Sequence, residues 1–209
     1  TAVGAEGGGW QILYDGDPNI YYSSSLPDSP KSSSKNSKNS GSNSTGSSKP
    51  ILLDLAGNGL NVDELSESSQ FLDFDGDGFL RRTAWASDGT GVLVLDADGD
   101  GKISRSSEFV FTDWDSSASG DLEAVRNVFD TNQNGKLDVG DSRWAEFKVA
   151  INGQLKSLSE LGIVSIDLTS TGTGQTFSDG SAIAGTTTFT KADGSTGTVG
   201  DAILASEQD

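Results

Sequence analysis

The sequence predicts an α+β fold: a compact mixed domain of short strands and few helices arranged around repeated acidic loops. Three observations point there. Glycine is abundant, at 27 of 209 residues, while apolar residues make up only 33%, a balance that favours turns and short strands. Short apolar runs such as "PILLDL" and "GVLVLD" each break at an Asp/Gly/Asn cluster, as strands bounded by turns do. Helical spacing is clear in "DLEAVRNVFD", where Leu122, Val125, Val128 and Phe129 read as one face and Asp121 as the N-cap.

Along the chain, residues 10–22, "WQILYDGDPNIYY", read as two aromatic strands around a turn, so residues 1–22 form an N-terminal hairpin unit that packs on the main domain. Residues 23–49 differ: 13 of the 27 are serine, with four lysines against one aspartate, and this composition cannot bury enough surface to fold. They are a flexible linker or loop. Residues 50–209 are the patterned domain. "PILLDL" is a strand followed by the turn "AGNG"; "QFLDFDGDGF" is a strand entering an acidic loop; and "TGVLVLDADGDGKI" repeats that plan, with a buried strand at 92–95. After the helix come the hairpin turn Asn152-Gly153, the strand "GIVSIDLTS", two strands around "KADGS" and a short terminal helix.

Charge and absences narrow the chemistry. The net charge is -17, which repels a phosphate backbone or an anionic membrane and suits a protein that neutralises itself with cations. No nucleic-acid partner is expected. Without cysteine or histidine there is no disulfide, thiol nucleophile, Ser-His-Asp triad or common zinc site. No run of 18 apolar residues exists, so no direct membrane insertion is expected. The chain opens at Thr1 and reads as a segment of a longer polypeptide with neighbouring domains, any export signal lying outside it.

Three loops share one design. The first supplies Asp73, Asp75 and Asp77; the second Asp96, Asp98 and Asp100; the third Asp130, Asn132, Asn134, Asp138 and Asp141. Calcium takes six to eight hard oxygens, and an EF-hand-like loop turns alternate side chains inward to provide them. Gly101 and Gly135 fill the sixth position, Lys102 and Lys136 the seventh, where a backbone carbonyl ligates, and Ile103 and Leu137 the eighth, anchoring each loop to the core. The third loop is the most complete by spacing. In the second, Ser104 stands at nine and Ser107 at twelve, with Glu108 one residue beyond. The first lacks a distal carboxylate and borrows ligands, with Asp54 and Asn58 as candidates. About three calcium ions or more are expected, and magnesium, with its strict octahedral geometry, fits less well.

The order "KPILLDLAGNGL", "FLDFDGDGFLRRTAW", "GVLVLDADGDGKI", "VFDTNQNGKLDVGD", "LSELGIVSIDL", "TFTKADGSTGTVGDAIL" resembles the calcium-dependent self-processing module of RTX (repeat-in-toxin) exoproteins over about residues 50–205. The resemblance implies a secreted or bacterial cell-surface protein. It also implies calcium-triggered cleavage of an Asp-Pro bond before the first strand, through an anhydride that a lysine amine opens to an isopeptide. Here that position is Lys49-Pro50, which has no carboxylate to attack with, and the chain's Asp-Pro is Asp17-Pro18. Asp17 and Pro18 are therefore the catalytic alternative, and none is the first reading. The family's fourth acidic loop is replaced by "AINGQLKS".

These departures lead to the expectation of a calcium-dependent, non-enzymatic binding module of a large secreted adhesin. Its partner would be an extracellular peptide or protein on a cell surface. The sequence does not assign the ligand-contacting residues; Trp10, Tyr14, Tyr21 and Tyr22 are platform candidates, while Trp85 and Trp114 read as core.

Overall fold

A computed structural model describes residues 47–72, 79–103 and 105–207. The hairpin 10–22, most of the linker, Asp17-Pro18, the first acidic loop with Asp73, Asp75 and Asp77, and Ser104 lie outside the described residues. In chain order the strands begin with β1 (Ser47–Ser48), β2 (Ile51–Asp54), β3 (Val62–Asp63), β4 (Gln70–Leu72), β5 (Arg81–Thr83), β6 (Trp85–Ala86) and β7 (Thr90–Leu95). The helix α1 (Asp121–Phe129) follows, then β8 (Lys136–Asp138), β9 (Phe147–Ile151), β10 (Gln154–Ser157), β11 (Ile163–Asp167), β12 (Gln175–Thr176), β13 (Ala182–Lys191) and β14 (Thr196–Ala205).

This is a β fold and not the α+β arrangement that the sequence predicts. Among the described residues strand outweighs helix 41% to 12%, α1 is the one α-helix, and the main sheet curls into a half-barrel. Its order is β10-β9-β7-β2-β14-β13-β11-β8, with β1 added to β14 and β12 to β13, and its pairs are antiparallel. Nor do the second and third acidic loops sit between helices: the second leaves β7 for a 3-10 turn at Ser106–Glu108, and the third leaves α1 for β8. Both loops are connections at the margin of a sheet.

The apolar runs explain the central strands. β2 and β7 are buried along their whole length, which a strand achieves only when both faces are covered. Their residues alternate between two core layers. Ile51, Leu53, Leu93 and Leu95 pack with Phe111, Phe129 and Phe147 on one face. Leu52, Val92 and Val94 pack with Trp85, Ile103 and Phe109 on the other. The Asn152-Gly153 turn joins β9 to β10 with both residues at positive φ (49° and 73°), as a tight two-residue hairpin requires.

The terminal helix is also corrected. Residues 196–205 are β14, which pairs with β13 along one edge and with β2 and β1 along the other. Ala202 and Leu204 are buried and alternate with the half-buried Ile203, and a bulge sits opposite in β13: Ala202 pairs with Ile183 and Asp201 with Gly185, leaving Ala184 unpaired. Sheet hydrogen bonds on both edges override a local helical preference. Within α1, Leu122, Val125 and Phe129 are buried, whereas Val128 is 37% exposed, because it lies about 100° around the helix from Phe129. The N-cap is Gly120 and not Asp121, which is the first helical residue.

A candidate metal centre at the second acidic loop

β7 delivers the second loop. Its last residue, Leu95, is fixed in the sheet opposite Phe147, and the Asp96 backbone N–H donates to the Glu146 carbonyl at 2.9 Å. The chain then turns through Gly99 and Gly101, both at φ 72°, a left-handed conformation that glycine adopts freely. Within the turn, the Gly101 N–H donates to Asp96 Oδ1 (3.4 Å), Asp100 N–H to Asp98 Oδ1 (3.3 Å) and Lys102 N–H to Asp100 Oδ1 (2.8 Å). Ile103 is 1% exposed and seats the loop in the second core layer.

The 3-10 turn at Ser106–Glu108 brings the chain back. Phe109 packs edge-on against Trp85 at 5.8 Å, so Ile103 and Phe109 pin the segment on either side of Glu108. Glu108 is buried, at 3% exposure, and Oε2 accepts the Arg105 N–H at 2.9 Å. Carboxylate oxygens of Asp96, Asp98 and Glu108 then lie within 4.8 Å of one another, with Asp96 and Glu108 buried and Asp98 exposed. Three hard oxygens at this spacing fit a divalent cation such as calcium. Ser107, at the twelfth position, engages otherwise: its carbonyl accepts the Trp114 indole N–H at 2.7 Å. Arg105 reaches Asp98 only at 4.0 Å and is largely exposed, so this pair does little to offset the Asp98 charge.

The third loop spends its carboxylates differently. Asp130 Oδ1 accepts the Asn134 N–H (3.1 Å) and Oδ2 the Gly135 N–H (2.8 Å). Asn132 Oδ1 accepts the Asn134 N–H (3.0 Å) and Asn134 Oδ1 the Lys136 N–H (2.9 Å). Asp141, 4% exposed, closes the loop on itself, accepting Thr131 N–H at 2.7 Å on one oxygen and Asp138 N–H at 2.9 Å on the other. The Asn134 amide donates to Asp138 at 2.7 Å, holding its carboxyl below the usual range. Lys136 pairs its ammonium with Asp167 at 3.1 Å. Among the described residues, Asp96, Asp98 and Glu108 are the one group of three acidic side chains gathered closely enough for an ion.

Asp54 and Asn58 shape the "AGNG" turn. Asp54 accepts the N–H groups of Gly57 (2.7 Å), Asn58 (3.2 Å) and Gly59 (2.9 Å), while the Asn58 side chain donates to the Asp88 carbonyl at 3.3 Å. Of the aromatics, Trp85 is core at 7% exposure, and Trp114 is 40% exposed with the Arg143 guanidinium 5.1 Å over its ring.

Asp121 reads from the sequence only as a helix N-cap and Asp201 carries no sequence signal; in the fold Asp121 is buried and Asp201 half-buried. They lack the alternating spacing that marks the acidic loops and stand 80 residues apart, so no local pattern joins them.

Comparison with known proteins agrees with the extent of this fold. A curated relative, "Iron-regulated protein FrpA" of Neisseria meningitidis serogroup C, is 28% identical over 172 residues, covering 76% of this chain and 15% of that protein. The chain thus spans a small fraction of that relative's length. No helix among the described residues is long and apolar enough to cross a membrane. The SPM domain family matches residues 51–205, from the start of β2 to the end of β14, and the chain belongs to that family.

Proposed function

We propose that this chain is a calcium-dependent, non-enzymatic ligand-binding module of a large secreted bacterial RTX adhesin, related to the calcium-dependent self-processing modules of RTX exoproteins. The observation that carries the calcium reading is the convergence of Asp96, Asp98 and Glu108 within 4.8 Å in a chain of net charge -17. The SPM match over 51–205 and the similarity to FrpA support the family relation. Lys49 before Pro50 supports the absence of self-cleavage at that junction, since an amine-bearing side chain has no carboxylate to attack its own carbonyl. An ion held by few side chains retains coordination positions for a partner's carboxylate, which is how the module would engage an extracellular peptide or protein.

Calorimetric calcium titration tests the metal step. Glu108→Gln weakens binding by at least roughly tenfold, whereas Glu123→Gln, on the exposed side of α1, leaves it unchanged. Equal affinity in Glu108→Gln and the parent protein would remove Glu108 from the site. A peptide and glycan array probed with calcium and with chelator tests the binding step, and the absence of calcium-dependent hits leaves only a calcium-stiffened spacer.

Family membership favours one further reading, calcium-triggered self-processing at Asp17-Pro18. It requires calcium to generate two fragments on a denaturing gel, absent in Asp17→Ala.

A further inference from the structure

The dipeptide Asn-Gly occurs three times in the sequence, at 58–59, 134–135 and 152–153. A glycine after asparagine leaves the main-chain nitrogen unhindered, so that nitrogen can attack the asparagine side-chain amide and close a small ring. The attack needs two freedoms: the glycine N–H gives up its proton, and the asparagine Cγ swings towards the nitrogen. The fold withholds both at two of the three pairs. The Gly59 N–H donates to Asp54 Oδ2 at 2.9 Å, and the Gly135 N–H to Asp130 Oδ2 at 2.8 Å. A carboxylate so placed holds the proton, and its charge opposes a developing negative nitrogen. The side chains are tied as well. Asn58 donates to the Asp88 carbonyl at 3.3 Å and accepts from the Asn61 amide at 3.0 Å. Asn134 donates to Asp138 at 2.7 Å and accepts the Lys136 N–H at 2.9 Å.

The third pair is the turn between β9 and β10. Asn152 is exposed, and among the described residues no hydrogen bond holds its side chain or the Gly153 N–H. Asn152 also sits at φ 49°, a left-handed conformation that a residue with a side chain adopts at some cost. β10 is the outermost strand of the main sheet, with Gln154 and Lys156 exposed, so the turn can open locally while the core stays packed.

We propose that Asn152-Gly153 is a site of spontaneous deamidation, selected by the fold from three equivalent dipeptides. The Gly153 nitrogen bonds to Asn152 Cγ, and the side-chain nitrogen leaves with the Gly153 proton as ammonia. Water then opens the resulting succinimide: addition at the side-chain carbonyl gives aspartate, and addition at the main-chain carbonyl gives isoaspartate. Water is the one co-reactant, and nothing is oxidised or reduced. Isoaspartate adds one atom to the main chain of a two-residue turn whose geometry matches the twist of its strands. The β9–β10 pairing, Ile151 with Gln154 and Ala150 with Leu155, loosens as a result, and each event adds one negative charge.

The test is peptide mass mapping of the full chain after incubation with excess calcium in mildly alkaline buffer. Each conversion adds about 1 Da, and isoaspartate separates from aspartate by chromatography. The peptide carrying Asn152 converts at least roughly tenfold faster than those carrying Asn58 and Asn134, whose hydrogen bonds to aspartate must first break. In denaturant the three convert at comparable rates. Asn152→Gln, whose longer side chain would form a larger ring, removes the fast conversion and leaves the other two sites as they are. Equal rates at the three sites in the folded protein would overturn the proposal, as would a ranking that persists in denaturant.

Discussion

Addition of a chelator to the purified protein destabilises residues 50–205, lowering the melting temperature by roughly 5–10 °C. The magnitude follows from the charges. Asp96 and Glu108 are both buried, and with Asp98 their oxygens lie within 4.8 Å. Two such charges repel by on the order of 3 kcal/mol at an effective dielectric of about 20, and by less where Asp98 is exposed to solvent. A bound divalent ion reverses the sign of these interactions. Because the site exists only when β7, the loop and the Ser106–Glu108 turn are in place, the binding energy is folding energy. Calcium at about a hundredfold over its dissociation constant adds roughly 2.7 kcal/mol, a large part of a stability that is typically about 5–15 kcal/mol. A melting temperature unchanged by chelator would sink the calcium reading as a whole.

Phe129→Ala costs about 3–5 kcal/mol, measured as a lower denaturant midpoint at unchanged slope. Phe129 is 1% exposed and meets Phe147 at 5.3 Å, Trp114 at 5.4 Å and Phe111 at 6.1 Å between ring centroids, the three contacts being edge-on. Arg143 lies 5.5 Å above the same ring. Truncation therefore removes the hub where α1 meets β9 and leaves a cavity that rigid neighbours cannot fill. For a chain of this size the melting temperature falls by roughly 10 °C. Val128→Ala, one residue earlier and 37% exposed, stays within about 0.5 kcal/mol. Equal losses at the two positions would mean that the helix faces the sheet differently.

That contrast marks where local reading reached its limit. Helical periodicity located α1 but grouped Val128 with the buried face, because a spacing pattern gives the existence of a stripe better than its edges. The second acidic loop was legible in its aspartates and in Ile103, which local geometry alone sets. Its far end was not: Ser107 and Glu108 are adjacent in sequence, and only the packing of Phe109 against Trp85 brings the Glu108 carboxylate to Asp96 and Asp98. In the third loop the alternating oxygens were equally legible, yet backbone N–H groups of the loop itself engage Asp130 and Asp141.

By itself the sequence determined the short strands, the glycine and Asn-Gly turns, the helix and the acidic loops, because each depends on backbone preferences and spacing within a few residues. It also determined the absence of thiol and imidazole chemistry. Only the tertiary structure decided that the domain is a curled β-sheet and not α+β, that the C-terminal stretch is a strand, and that Asp201 accepts the first backbone N–H groups of α1. The reason is physical: strand pairing and buried charge are settled by partners distant in sequence, and hydrogen bonds along two edges of β14 outweigh any preference its residues carry alone.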